Sequence, residues 1–160
     1  MSVAAAARPW SSVERELRGA LPTGADRATR MQTFVRACWP HLAPTGVSWL
    51  GFYERDPGDP AALRLAAREP RPACSPIGLH GACGQSLLAA RVLVVRDVVD
   101  LGSNYIACDP RDRSELVVPC LEAPERAWGV LDLDSHQIGA FGPADADALK
   151  GLLRLVGLTA

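Results

Sequence analysis

The stretch Trp128–Ser135, WGVLDLDS, alternates leucine and aspartate. Successive side chains of a strand point to opposite faces, so Leu131 and Leu133 share one face and Asp132 and Asp134 the other. The leucines call for a core. The aspartates then stand about 7 Å apart on the opposite face. Two other stretches carry the same period. In SWLGFY, Trp49, Gly51 and Tyr53 oppose Leu50 and Phe52; in ELVVP, Glu115 and Val117 oppose Leu116 and Val118. Gly51 leaves a gap between the two aromatic rings. If these strands are neighbours, one sheet face carries an aromatic cleft beside three carboxylates. That surface suits a small cation with an apolar portion, such as the ammonium end and side chain of a free amino acid. Clustered acids raise one another's pKa, so one can stay protonated near neutral pH and donate a proton. Each feature alone also has a plain reading. Alternating aspartates are commonly the wet face of a half-covered strand, and Trp49 and Tyr53 commonly pack as core or surface aromatics.

The rest of the chain supplies the layers. SSVERELRGAL, from Ser11, reads as a short amphipathic helix with Ser11 or Ser12 as its cap. DRATRMQTFVRACWPHL reads as a second helix that Pro40 bends or ends. GVSWLGFYERD and ALRLAARE form a hairpin about a turn at GDP, and PRPACSPIGLHG is an irregular loop. A short helix starts in GACGQSLLAARV, and strands LVVRDVV, ELVVPCLEA and AWGVLDLDS follow. A final helix begins at Pro143, with proline in its first turn and acids near its N-terminus. Hairpins dominate, so the sheet should be mostly antiparallel with helices packed on it, an α+β domain. Residues 1–9 are expected as a flexible tail and residues 10–160 as a single domain.

Charge and cysteine usage narrow the function. A net charge of −1 over 160 residues carries no footprint for nucleic acid or an anionic membrane. No apolar run is long enough to span a bilayer, and MSVAAAARPW lacks a signal-peptide core, so a cytoplasmic protein is expected. An odd count of five cysteines argues against a structural disulfide framework. There is no CxxC pair and no His–Cys cluster at zinc-ligand spacing. Cys38 and Cys120 fall on apolar faces and read as inert core thiols. Cys83 starts a helix, where the dipole lowers a thiol pKa, and Cys74 lies in a Pro-rich loop. Cys108 stands apart in SNYIACDPRDR, a polar, turn-forming loop that runs directly into Glu115. Asp109 beside it would raise its pKa, and Arg111 and Arg113 would offset that. His80 and His136 read as structural or surface residues, and Arg68 and Arg71 as solvated charges.

Together, WLGFY, the cysteines of ACSPIGLHGACG and IACD, RSELVVP and GVLDLDS resemble the GAF-domain free methionine-(R)-sulfoxide reductases, over about residues 47–141. The resemblance implies the GAF fold: a mostly antiparallel, six-stranded sheet with helices on its faces. It implies Cys108 as the thiol that attacks the sulfoxide, Cys74 as the one that resolves the sulfenic acid, and Cys83 as an auxiliary or second resolving thiol. It places Glu115, Asp132 and Asp134 around the substrate's ammonium and sulfoxide, with Trp49 and Tyr53 as the aromatic pocket. The implied substrate is free methionine sulfoxide, and the implied reductant is thioredoxin or a similar dithiol, with no metal or organic cofactor. This sequence departs from the family's C-x-x-I-P-x-G-x-G-x-C-G by one residue lost between Cys74 and Cys83, and by Leu79–His80–Gly81 in place of glycine–x–glycine. Which of Cys74 and Cys83 is the main resolving thiol therefore stays open, as does the identity of the proton-donating carboxylate. The other reading is a non-catalytic GAF module that senses a small molecule or redox state. Against it, a sensor domain normally travels with an output domain, for which little chain is left. The apolar last helix, with LLRLVGL, would permit a homodimer.

Overall fold

The computed structural model describes residues 7–160. Helices α1 (Trp10–Ala20) and α2 (Arg27–Leu42) lead into the hairpin of β1 (Val47–Asp56) and β2 (Asp59–Glu69). A short strand β3 (Ile77–Gly78), helix α3 (Ala82–Ala89) and strand β4 (Leu93–Val95) follow. The hairpin of β5 (Ser114–Ala123) and β6 (Arg126–Ser135) and helix α4 (Pro143–Leu155) complete the chain. The six strands form one sheet in the order β3-β2-β1-β6-β5-β4, and every pairing is antiparallel. The architecture is α+β, as the hairpin-rich sequence predicts.

Alternation sorts the strand residues as expected. Leu50, Phe52, Leu116, Val118, Leu131 and Leu133 face one core, filled from α1 by Leu17, from α2 by Phe34 and Val35, and from α4 by Leu149 and Leu153. Cys38 and Cys120 are free and buried in that core, and burial pushes both thiols far up. The opposite face is also covered. Trp49, Tyr53, Leu63, Val117 and Val130 pack there against Ala82, Cys83 and Leu87 of α3. Glu115 and Asp132 therefore lie buried against a second core and not on a wet face, with Asp134 half-buried beside them.

Several local expectations give way. The cap of α1 is Pro9 and makes no side-chain bond, so Ser11 and Ser12 lie inside the helix. Pro40 does not end α2: the helix runs on to Leu42 although the ring removes one intrahelical donor. The expected strand LVVRDVV stops at Val95, and a 3₁₀ segment takes over from Val98 to Asn104. There the Asp97 side chain caps the turn by accepting from the Val99 N–H, an option that competes with strand pairing. Residues 1–6 of the expected tail lie outside the described residues. Arg8, the eighth of its nine positions, is buried. Its guanidinium donates to Asp145 of α4 at 2.7 Å and to the Ala140 carbonyl at 3.0 Å, and it stacks on the Phe141 ring. No helix among the described residues is long and apolar enough to cross a membrane.

Candidate active site

Strand register assembles the site. Trp49 of β1 pairs with Asp134 of β6, and Asp134 pairs with Glu115 of β5. One row further along, Gly51 pairs with Asp132 and Asp132 with Val117. One aromatic ring and the three acids thus come to one face from three adjacent strands. Tyr53 lies further along β1, with its ring centroid 6.1 Å from that of Trp49. Gly51 leaves no open gap: a Cβ there would collide with the Trp49 ring, and the Ala67 carbonyl would lie 2.9 Å away. The glycine makes room for the indole.

The acids line a cavity of about 40 Å³ together with Trp49, Tyr53, Cys83 and Cys108. An adjoining outer cavity of about 260 Å³ shares Trp49, Cys108, Asp112 and Asp134 and is rimmed by Arg71 and Arg111. Cys74 and Cys108, both exposed, are joined as a disulfide, with their Cα atoms 5.6 Å apart. The one-residue shortening between Cys74 and Cys83 thus leaves Cys74 within reach of Cys108. Cys83 is free and buried. Both aromatic residues of the cleft tether the Cys74 loop. The Trp49 indole N–H donates to the Arg71 carbonyl at 2.8 Å, and the Tyr53 hydroxyl donates to the Cys74 carbonyl at 2.7 Å.

Burial sets the electrostatics. Asp132 and Asp134 are held well above the usual carboxylate range, first by desolvation and then by neighbouring acids. Glu115 is also raised, chiefly by desolvation. Mutual repulsion, the cause the sequence suggests, comes second to loss of water. Oδ1 of Asp132 is buried and has no hydrogen-bond partner, so it offers an unused acceptor to a cation. Cys83 does not behave as a helix-start thiolate. Burial comes first, and Asp132, Glu115 and Asp134 next, in keeping its thiol well above the ordinary range. Its Sγ lies 4.0 Å from Oε1 of Glu115.

The surroundings of Cys108 also differ from expectation. Asp109 takes a bidentate bond from Arg111 at 3.0 and 2.9 Å, which holds its carboxyl far below the usual range. Arg113 pairs with Asp97 instead, at 3.7 Å. Arg71, read from sequence as a solvated charge, lies 3.5 Å from Asp109, and His136 lies 3.7 Å from both Asp109 and Asp112. Asp112 is a site residue that the sequence does not reveal. It lines both cavities, and burial together with Asp109 pushes its carboxyl up to about 6. Tyr105 lines the inner cavity too, and burial raises its hydroxyl to about 12. Both sit in non-periodic loop, where alternation gives no signal.

No family model matches the chain. It is 33% identical to the free methionine-R-sulfoxide reductase of Escherichia coli over 111 residues, which cover 68% of this chain and 64% of that protein, under two thirds of its length. The free methionine-R-sulfoxide reductase of Neisseria meningitidis, solved in complex with its substrate, superposes with a TM-score of 0.79 at 30% identity, covering 92% of this chain and 85% of that one. A GAF domain at 22% identity superposes with a TM-score of 0.83 over 94% of this chain and 87% of its own, which shows the fold. The disulfide beside an acid-lined aromatic cavity, the six-stranded sheet beneath it and the extent of these likenesses agree: the chain belongs to the free methionine-R-sulfoxide reductases, oxidoreductases built on the GAF fold.

Proposed function

We propose that this chain reduces free L-methionine (R)-S-oxide to L-methionine at the expense of its own Cys74 and Cys108 thiols. The observation that carries the reading is the Cys74–Cys108 disulfide at a cavity lined by Trp49, Glu115, Asp132 and Asp134. The epimer follows the relatives, which are named for the R form. The substrate ammonium lies among Glu115, Asp132 and Asp134, where the unpartnered Oδ1 of Asp132 accepts from it. Its S-methyl end packs on Trp49.

The Cys108 thiolate attacks the sulfoxide sulfur, and a protonated carboxyl, Glu115 or Asp134, donates to the oxygen. Burial raises both carboxyls above their ordinary values, which favours the protonated form. The oxygen passes to Cys108, methionine leaves, and Cys108 becomes a sulfenic acid. Cys74 attacks that sulfur, water departs, and the disulfide forms. Two thiols have given two electrons, and the sulfoxide oxygen has left as water. Thioredoxin or a similar dithiol then restores both thiols by exchange. Cys83, buried beneath the acids, is not part of this pair. A methionine within a polypeptide has no free ammonium for the acids, which explains selection of the free amino acid. Recycling of the disulfide by a dithiol would need reducing conditions such as those of a cytoplasm, and the apolar residues of α4, Leu149, Leu152 and Leu153, are packed in the core, so this helix gives a homodimer no apolar face.

The test follows NADPH oxidation in the presence of thioredoxin, thioredoxin reductase and either epimer of free methionine sulfoxide. Turnover of the R epimer alone, lost in Cys108→Ser, is expected. No turnover of either epimer, with dithiothreitol also tried, would favour a ligand-sensing module.

A further inference from the structure

We propose that the floor of the cavity is also a binding site for a thiophilic divalent cation such as zinc, held by Cys83, Glu115 and Asp132. One ligand atom from each of these residues lies within 4.8 Å of the other two. All three residues are buried, and all three line the inner cavity. They come from α3, β5 and β6, far apart in sequence, so spacing along the chain gives no hint of the cluster.

A cluster of acids alone would say little. The independent observation is Oδ1 of Asp132, buried without any hydrogen-bond partner in a residue only 5% exposed. An acceptor in that position is an unused ligand. One sulfur and two carboxylate oxygens suit zinc, which is commonly held by three protein ligands with the fourth position left to water. The cavity of about 40 Å³ provides the space for an ion and that water. Metal–ligand distances of about 2.0–2.3 Å call for ligand atoms about 3.3–3.8 Å apart. The Cys83 Sγ to Glu115 Oε1 separation of 4.0 Å closes to that range by a small side-chain movement. On binding, the Cys83 thiol and whichever of the Glu115 and Asp132 carboxyls carry protons release them to solvent as the bonds to the metal form, and no electron is transferred. The acids that repel one another gain a dication between them. The ion is not a cofactor for sulfoxide reduction. On the reading proposed above it occupies the place of the substrate ammonium, so it acts as an inhibitor.

The test uses the oxidised protein, in which Cys74 and Cys108 are tied up as the disulfide and cannot ligate. Cys38 and Cys120 lie in the other core. Cobalt(II) is titrated in and the near-ultraviolet sulfur-to-cobalt charge-transfer band recorded, then zinc is added to displace it. A one-to-one band is expected, abolished in Cys83→Ser, with at least a tenfold weaker cobalt affinity in Asp132→Asn. Absence of the band from the oxidised wild type, or its persistence in Cys83→Ser, would overturn the assignment. Folding of each variant is checked by circular dichroism, and the wild-type titration alone can refute the site. Free methionine sulfoxide is added last. If it leaves the cobalt band untouched, the metal site stands and the ammonium reading fails.

Discussion

Replacing Asp132 by asparagine should separate stability from function. Wild-type Asp132 is 5% exposed, its Oδ1 has no partner, and its pKa is raised well above normal by burial first and by Asp134 and Glu115 next. The sign follows from proton uptake. As pH rises past the unfolded value, the unfolded chain loses this proton while the folded chain keeps it. Stability therefore falls with rising pH until the folded group also ionises. Asparagine keeps the volume, carries no charge and can donate towards Glu115. A carboxyl whose pKa is raised by one unit on folding costs about 1.4 kcal/mol of stability once the unfolded group is ionised. Asp132→Asn removes that cost and should stabilise the fold by at least about 1.4 kcal/mol at pH 8, raising Tm by roughly 3–6 °C for a chain of this size. The gain should shrink towards pH 5, as the pH approaches the value at which the unfolded carboxyl itself takes up a proton. Substrate affinity should move the other way, because hydrogen bonds to charged groups contribute about 1.5–3 kcal/mol, or roughly 10- to 150-fold in kcat/KM. Thermal melts from pH 5 to 8, paired with the coupled assay, read both quantities. A variant that melts lower than wild type at pH 8, or one that keeps full kcat/KM, would refute the reasoning.

Other substitutions test separate links. Tyr53→Phe removes the 2.7 Å bond to the Cys74 carbonyl. It should cost about 1 kcal/mol of stability and slow disulfide formation in stopped-flow traces, with KM changed less than kcat. Cys74→Ser should give a single turnover per chain and leave Cys108 as a sulfenic acid that a dimedone probe labels; multiple turnovers with thioredoxin would reassign the resolving step. Arg8→Ala breaks a buried pair with Asp145 and should cost about 3–5 kcal/mol by urea unfolding, while Arg8→Ala with Asp145→Ala should cost less than the sum of the single changes.

Where packing imposed a period, the sequence was legible. The alternation in residues 128–135 placed Leu131 and Leu133 in one core and Asp132 and Asp134 on the other face, and the register of three strands then aligned Trp49, Asp134 and Glu115. What stayed hidden was local or tertiary. The two-residue strand Ile77–Gly78 is too short to show alternation. Arg8 is buried only because Asp145 and Phe141 come to it from the far end of the chain. Cys83 looked like a helix-start thiol, but packing under three acids outweighs the dipole at the N-terminus of an eight-residue helix. Asp112 sits among loop charges, and only the fold reveals that burial singles it out from Asp109, which Arg111 neutralises.

The paired rows from β1, β6 and β5 bear on which length changes this scaffold can absorb. A one-residue insertion or deletion within β5 or β6 would turn its core aliphatics toward the cavity face and exchange Glu115 or Asp132 for an aliphatic neighbour. The Cys74 loop obeys a looser rule: it needs only to bring one sulfur to Cys108, and closing a flexible loop depends weakly on its length, about 0.6 kcal/mol per doubling. The residue missing between Cys74 and Cys83 is a change of that second kind. The spacing of the thiols can thus vary while the frame of the acids stays locked, and a design that seeks new redox timing would lengthen or shorten the loop and leave the strands alone.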